Sequence, residues 1–117
     1  MSGAVSYHAG LAAEESVARQ YARAGCPVVA RRWRGAAGEI DMIAREGGVL
    51  IFVEVKQSRT HAEAASHLSP RQFARIRLAA EEFAGNEPQG SLTEMRFDVA
   101  LVDGQGVIEI LENAEAA

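Results

Sequence analysis

Two apolar runs rich in β-branched residues, separated by a pair of glycines, form the most regular part of the hydrophobic pattern. They flank Glu46, Gly47 and Gly48. Glycine reaches positive φ without steric cost, so a Gly-Gly pair between such runs is typical of a β-hairpin turn. The second run is almost continuously apolar from Val49 to Val55, which indicates a strand that is covered on both faces. The pattern therefore predicts a central hairpin.

Helical periodicity marks two further segments. From Tyr7 to Ala24 apolar residues recur about every 3.6 positions, and Gly25 is a suitable end for such a helix. A second helix is predicted from Ser69-Pro70 to Ala84, because serine is a favoured N-cap and proline is tolerated at the first helical position. Its core stripe is predicted to contain Phe73, Ile76, Ala80 and Phe83.

The remaining predicted elements are short. An edge strand is expected at 27–33, a short helix at 61–65 within an otherwise irregular segment, and two strands at 95–102 and 107–111. The order is helix, three strands, helix, two strands, which predicts a single α/β domain over 1–117. Residues 1–6 and the acidic end at 112–117 are expected to be loosely ordered at the two termini.

Composition supports a globular domain. The chain has 117 residues, 48% of them hydrophobic and 24% charged, which is enough to bury a core. The sequence has no apolar run long enough for a membrane span and no pattern of a secretory signal. A lone Cys26 excludes an internal disulfide and is expected to be a small buried hydrophobe. These features predict a cytoplasmic protein.

The charged residues are unevenly distributed along the chain, so the net charge conceals a basic segment. The chain carries −4 overall, yet residues 16–77 hold eleven of the twelve Lys and Arg residues against five acids, a net of +6. Residues 78–117 hold one base and nine acids, a net of −8. A basic segment is what phosphate contacts require, so nucleic acid is the expected partner. A homodimer is allowed.

Three charged residues stand at the ends of the central strands. Asp41 lies inside the first run, while Glu54 and Lys56 close the second and share one face. One interpretation is a solvated ion pair with Asp41 as a turn residue. The other is a metal site, because two carboxylates from adjacent strands suit a hard divalent cation and a neighbouring lysine can orient water.

The residues around these charges carry a resemblance. An Asp on one strand and Glu-x-Lys on the next resemble the PD-(D/E)xK nuclease signature. The longer strings Gly38-Glu39-Ile40-Asp41-Met42-Ile43-Ala44 and Phe52-Val53-Glu54-Val55-Lys56 resemble the YraN-like family of bacterial proteins. That family is similar in turn to archaeal Holliday-junction resolvases, and the likeness extends loosely from Glu14 to Asn113. It implies a restriction-endonuclease-like architecture, with a central mixed β-sheet flanked by helices.

The resemblance also implies a site. Asp41 and Glu54 would hold Mg²⁺ or Mn²⁺, with the Val55 carbonyl as a further ligand, and Lys56 would position or activate the attacking water. Glu14 on the first helix is expected to complete the site, and Glu39 less directly. The alternative for Glu14 is a solvated helix charge near the helix N-terminus.

Arginines close to this site are candidates for DNA contacts. Arg31 and Arg34 surround Trp33, which offers a stacking surface, Arg59 follows the Glu-x-Lys string, and Arg71 lies on the second helix. The alternatives are charged residues that protect an edge strand and solvated helix charges. The sequence departs from the family pattern at three positions. The family usually has Asn where Arg32 stands, a second base where Ser58 stands and Lys where Gln72 stands.

The predicted function is that of a metal-dependent endonuclease that hydrolyses DNA phosphodiester bonds, at branched DNA in particular. A nucleic-acid-binding module of the same fold, with weak or absent hydrolysis, is the first alternative. A domain that binds a partner protein is the second, and fold alone does not decide among the three.

Overall fold

A computed structural model describes residues 3–114, and their side chains from residue 10 onward. These described residues form three α-helices, five β-strands and one turn of 3-10 helix. In chain order these are α1 (Gly3–Arg23), β1 (Val28–Gly35), β2 (Gly38–Glu46), β3 (Val49–Gln57), α2 (His61–Ala65), α3 (Pro70–Ala84), the 3-10 turn (Gly90–Leu92), β4 (Glu94–Val102) and β5 (Ile108–Leu111).

The five strands make one mixed sheet in the order β1-β2-β3-β4-β5. Neighbouring strands are antiparallel except β3 and β4, which run parallel from Val49 opposite Glu94 to Gln57 opposite Val102. Parallel neighbours need a long connection, and α2 and α3 provide it here. This single α/β domain with a mixed sheet between helices is consistent with a restriction-endonuclease-like fold, as predicted.

The sheet is buried on both faces. Val17 and Tyr21 of α1 pack against one face with Ile51 and Val53 of β3. On the other face α3 packs against alternate residues of the same strands, through Ile76, Ala79 and Ala80 with Ile43, Leu50 and Phe52. The central strand is therefore covered on both sides, and the residues of β3 that alternate with Ile51 and Val53 face α3.

Local signals set the ends of several elements where the sequence predicted them. The Ser69 hydroxyl accepts a hydrogen bond from the Gln72 N–H at 3.1 Å, so it caps α3, and Pro70 occupies the first position of that helix. Gly47 in the hairpin turn has a φ of 58°, a conformation that favours glycine. The short helix predicted at 61–65 is also present, with Thr60 as its N-cap.

The termini differ in part from the expectation. Helix α1 begins at Gly3 rather than Tyr7, so residues 3–6 are helical, because nothing in this small-residue stretch interrupts a helix. Residues 112–114 form a turn after β5. The rest of the predicted loose ends, residues 1–2 and 115–117, lie outside the described part of the chain. Within the described range, no helix is both long and apolar enough to cross a membrane.

Asp98 of β4 is a buried carboxylate. Only 2% of the residue is exposed. Its carboxylate accepts hydrogen bonds from the Tyr21 hydroxyl at 2.7 Å, from Arg96 at 2.9 and 3.0 Å, and from the Asn113 N–H at 3.0 Å. Burial, followed by the Asp98 contact, raises the pKa of Tyr21, so the tyrosine stays a neutral donor. The network ties α1 to the sheet.

Candidate functional site

Asp41 and Glu54 lie side by side where the central hairpin opens. Backbone pairing of β2 with β3 extends to Met42 opposite Val53, and Asp41 and Glu54 are the next residues along the two strands. The Val55 N–H donates a hydrogen bond to Asp41 Oδ2 at 2.8 Å. The Asp41 side chain thus binds the backbone of β3, and this contact holds its carboxylate beside that of Glu54.

Glu54 is a buried carboxyl group, with 6% of the residue exposed. Burial raises its pKa to about 8, and a hydrogen bond and charge repulsion from Asp41 act in the same direction, whereas Lys56 and Arg75 oppose them. Ionising both of two adjacent carboxyl groups costs electrostatic free energy unless a cation is bound between them. At neutral pH the pair therefore favours either a bound proton or a bound cation.

Lys56 shares the face of Glu54, as the strand periodicity predicted. Its Nζ lies 3.6 Å from Glu54 Oε2, and 19% of its side chain is exposed. The ammonium group is therefore close to the carboxylate pair and retains access to solvent. The structure brings together the three residues Asp41, Glu54 and Lys56.

Helix α3 contributes two side chains that the sequence analysis did not place at the site. Gln72 Nε2 donates a hydrogen bond to Glu54 Oε2 at 2.5 Å. Three residues later, Arg75 Nη1 donates to the backbone carbonyl of Glu39 at 3.0 Å. The signal for Gln72 was its position one helical turn before the buried Ile76, because a polar residue on a core-facing stripe needs a buried partner.

Glu14 is not brought to the carboxylate pair. Its Oε1 accepts a hydrogen bond from Arg32 Nε at 3.1 Å, and α1 packs against the face of the sheet opposite to that of α3. Among the residues whose side chains are described, no three His, Cys, Asp or Glu side chains are grouped so that they could hold a metal ion together. Glu39 likewise has another partner, since its carboxylate binds Arg34 at 3.1 Å.

The arginines predicted to bind nucleic acid lie at the surface, and three of them have acidic partners. Arg31 binds Glu15, Arg34 binds Glu39 and Arg59 binds Glu63, at 3.0 to 3.1 Å. Arg71 is exposed in the first turn of α3. Exposed ion pairs contribute little to stability, so a phosphate can replace such a carboxylate at low cost.

The donor set fits Mg²⁺ or Mn²⁺. Both ions prefer oxygen ligands, and Mg²⁺ is commonly held by one or two carboxylates while it keeps several water molecules. Asp41 and Glu54 supply two carboxylates, and a cation between them would relieve the repulsion that raises the pKa of Glu54. Val55 contributes its amide N–H, which orients Asp41.

The comparisons with known proteins agree with the resemblance to the YraN-like family. The model of "Uncharacterised protein family UPF0102" matches residues 13–102, a range that includes the carboxylate pair, Lys56 and α3. A UPF0102 protein of Cereibacter sphaeroides is 66% identical over 117 residues, 100% of both chains.

Two further relatives come from other genera. A UPF0102 protein of Ruegeria pomeroyi is 59% identical over 112 residues, 96% of this chain and 91% of the relative. A UPF0102 protein of Roseobacter denitrificans is 54% identical over 113 residues, 97% of this chain and 88% of the relative. The chain therefore belongs to the UPF0102 family.

Proposed function

We propose that the protein is a metal-dependent endonuclease that hydrolyses phosphodiester bonds of DNA. The observation that carries the proposal is the juxtaposition of Asp41, Glu54 and Lys56 at the open end of the central hairpin. Two adjacent carboxylates, one of them buried, destabilise a fold that gains nothing from them. A site that must bind a divalent cation gives a reason for this arrangement.

Asp41 and Glu54 are the residues that would hold Mg²⁺ or Mn²⁺. When bound, such an ion supplies a Lewis acid that activates water and neutralises charge on the phosphate. The Val55 N–H fixes the orientation of Asp41, while the Gln72 amide and the Lys56 ammonium group fix Glu54. These contacts pre-organise the two carboxylates, which is what a catalytic site requires of its supporting residues.

Lys56 is proposed to act on the reacting groups. Hydrolysis adds the oxygen of one water molecule to phosphorus and breaks one P–O ester bond. The water loses a proton, and the departing sugar oxygen takes one up. An ammonium group beside the carboxylate pair can orient that water and stabilise the negative charge that develops on the phosphate oxygens. Its partial exposure allows this contact.

The substrate is proposed to be DNA, and branched DNA is proposed as the preferred form. Support comes from the basic segment at 16–77, which carries a net charge of +6 and contains β1, β2, β3 and most of the site. Arg59 lies just after the end of β3, and Arg71 lies in the first turn of α3. Both belong to the connection that follows Lys56 along the chain. A duplex laid across this edge would meet these cations.

A nucleic-acid-binding module without hydrolysis is the second candidate. It is favoured by one observation: among the described side chains, Asp41 and Glu54 have no third metal-ligating partner. In such a module the proton of Glu54 would take the place of the cation, and DNA binding would not depend on divalent ions.

A cleavage assay separates the two candidates. Branched, duplex and single-stranded DNA are incubated with the wild type in Mg²⁺, Mn²⁺ or EDTA, and in parallel with Asp41→Asn. Glu94→Gln, an exposed acid at the start of β4, serves as the matched control. The nuclease proposal predicts cleavage by the wild type and the control that requires a divalent ion and is lost in Asp41→Asn. DNA binding without cleavage under every condition would instead favour the module.

A further inference from the structure

Arg75 of α3 lies at the edge of the carboxylate site. The residue is half-buried, and its Nη1 donates a hydrogen bond to the backbone carbonyl of Glu39 at 3.0 Å. Glu39 stands two residues before Asp41 at the start of β2. The guanidinium group is therefore held against the strand that presents Asp41.

A glycine at the start of β2 leaves space for this side chain. Gly38 has a φ of +132°, and a Cβ atom built there would lie 2.5 Å from Arg75 Nη1. Any residue other than glycine would meet the guanidinium group and would also be strained at this φ. Arg75 thus packs against the start of β2, whereas a solvated helix charge would point into water.

Helix geometry directs Arg75 toward the same site as Gln72. The two residues are three positions apart, so they lie on one face of α3, and Gln72 binds Glu54 directly.

Among the residues that the structure describes, the hydrogen-bonding capacity of Arg75 is only partly used. A guanidinium group has five N–H donors, and the bond to the Glu39 carbonyl uses one of them. Arg31, Arg34 and Arg59 each bind a carboxylate, whereas no ion pair of Arg75 occurs among the described side chains. A half-buried arginine with donors to spare beside a proposed phosphodiesterase site is suited to an anion.

We propose that Arg75 is a further catalytic residue, which donates hydrogen bonds to the non-bridging oxygens of the phosphate that is cleaved. The inference rests on the nuclease function proposed above. In this arrangement Lys56 from β3 and Arg75 from α3 provide two cations from different elements. The Glu39 carbonyl holds one edge of the guanidinium group, so the other edge is presented to the phosphate without further reorganisation.

The test compares three substitutions at this position with a control on the same helix. Arg75→Gln, Arg75→Lys and Arg75→Ala are assayed for kcat and KM with a cleavable DNA and Mg²⁺, and thermal unfolding is followed for each protein. Arg77→Gln is the control, because Arg77 is two positions from Arg75 and so projects from a different side of α3, with its guanidinium carbon 6.0 Å from the centroid of the Phe97 ring. Cleavage by Arg75→Ala and by Lys56→Met is also measured with millimolar free guanidinium ion.

Loss of the Arg75 guanidinium group should lower kcat by roughly 100-fold with little change in KM, as for removal of one preorganised donor. Arg75→Lys should recover only part of the rate, because an ammonium group cannot present two parallel donors. Free guanidinium ion should restore part of the rate of Arg75→Ala and none of that of Lys56→Met. Arg77→Gln should cleave at the wild-type rate.

The possible failures are distinguishable. Wild-type cleavage together with an unchanged kcat in Arg75→Gln would overturn the inference and leave the proposed function standing. A lowered rate accompanied by a lower melting temperature, without rescue by guanidinium ion, would assign Arg75 to the α3–β2 contact alone and would also overturn it. A wild type that cleaves no DNA with any divalent ion would overturn the proposed function and this inference together.

Discussion

The Asp41 carboxylate accepts a hydrogen bond from the backbone N–H of Val55 at 2.8 Å, and this contact holds it beside Glu54. The hydrogen bond lies just beyond the last paired residues of the hairpin, Met42 and Val53. This hydrogen bond opposes rotation of the Asp41 carboxylate away from Glu54. The fold therefore keeps the two carboxyl groups adjacent, and their mutual repulsion is relieved by a bound proton or a bound cation.

The first prediction concerns the stability of the metal-free protein as pH changes. The pKa of Glu54 is raised from 4.5 to about 8, so the folded state holds this proton more tightly than the unfolded chain does. The stabilising contribution is fully present below pH 4.5 and is lost as pH rises through about 8. Urea unfolding in EDTA should show wild-type stability falling across this window by on the order of a few kcal/mol.

Glu54→Gln removes the titrating group and retains an oxygen acceptor for Gln72, so its stability should fall less over the same pH range. Equal slopes for the two proteins would show that Glu54 does not have a raised pKa in the folded state.

The second prediction concerns metal affinity. Asp41→Asn and Glu54→Gln should each abolish binding of Mg²⁺ and Mn²⁺, because neither remaining carboxylate suffices alone. Each variant should be at least as stable as the metal-free wild type at pH 8, since the repulsion is gone. Isothermal titration calorimetry with Mn²⁺ is the measurement, and Glu94→Gln is the control. Wild-type affinity in both variants would place any metal elsewhere.

The third prediction concerns DNA binding. Binding should weaken steeply with salt, because Lys and Arg side chains that meet phosphates release counterions. Arg59→Gln should reduce the salt slope by about one counterion. Arg45→Gln is the matched control, because Arg45 lies beside the hairpin turn at the opposite end of β2 from Asp41, and its ion pair with Glu87 at 2.7 Å is much less exposed than that of Arg59. Affinity that does not change between low and high salt would favour the protein-binding alternative.

The fourth prediction concerns the buried network on the opposite face of the sheet. Tyr21→Phe removes the hydroxyl that donates to Asp98 at 2.7 Å and leaves a buried carboxylate with one donor fewer. Unfolding free energy should fall by about 1–3 kcal/mol, while metal binding should stay unchanged, because the network and Glu54 lie on different faces. A change in metal affinity without a loss of stability would contradict this separation.

The sequence predicted the elements whose signals are local. Three such elements depend only on residues a few positions apart in the sequence: the hairpin turn at Gly47, the cap at Ser69 and the short helix at 61–65. Asp41, Glu54 and Lys56 were also predictable as a group, because strand alternation and hairpin pairing bring them together. These relations need no knowledge of how helices pack on the sheet.

Residues whose roles depend on packing between distant elements were not predictable in this way. One donor to Asp98, Tyr21, is 77 positions away, and Gln72 binds Glu54 only because α3 crosses that face of the sheet. Arg32 has a φ of 50°, which asparagine tolerates better than arginine. The sequence pattern alone did not reveal this left-handed backbone conformation.

The fifth prediction tests the central claim, that Lys56 and the carboxylate pair form a hydrolytic site. Single-turnover cleavage of bound DNA in Mg²⁺ is compared between the wild type and Lys56→Met, with DNA affinity measured in the same samples. Cleavage should fall by roughly 100-fold or more, while affinity changes little, because one phosphate contact among several contributes modestly to binding. A Lys56→Met protein that cleaves bound DNA as fast as the wild type would contradict the account.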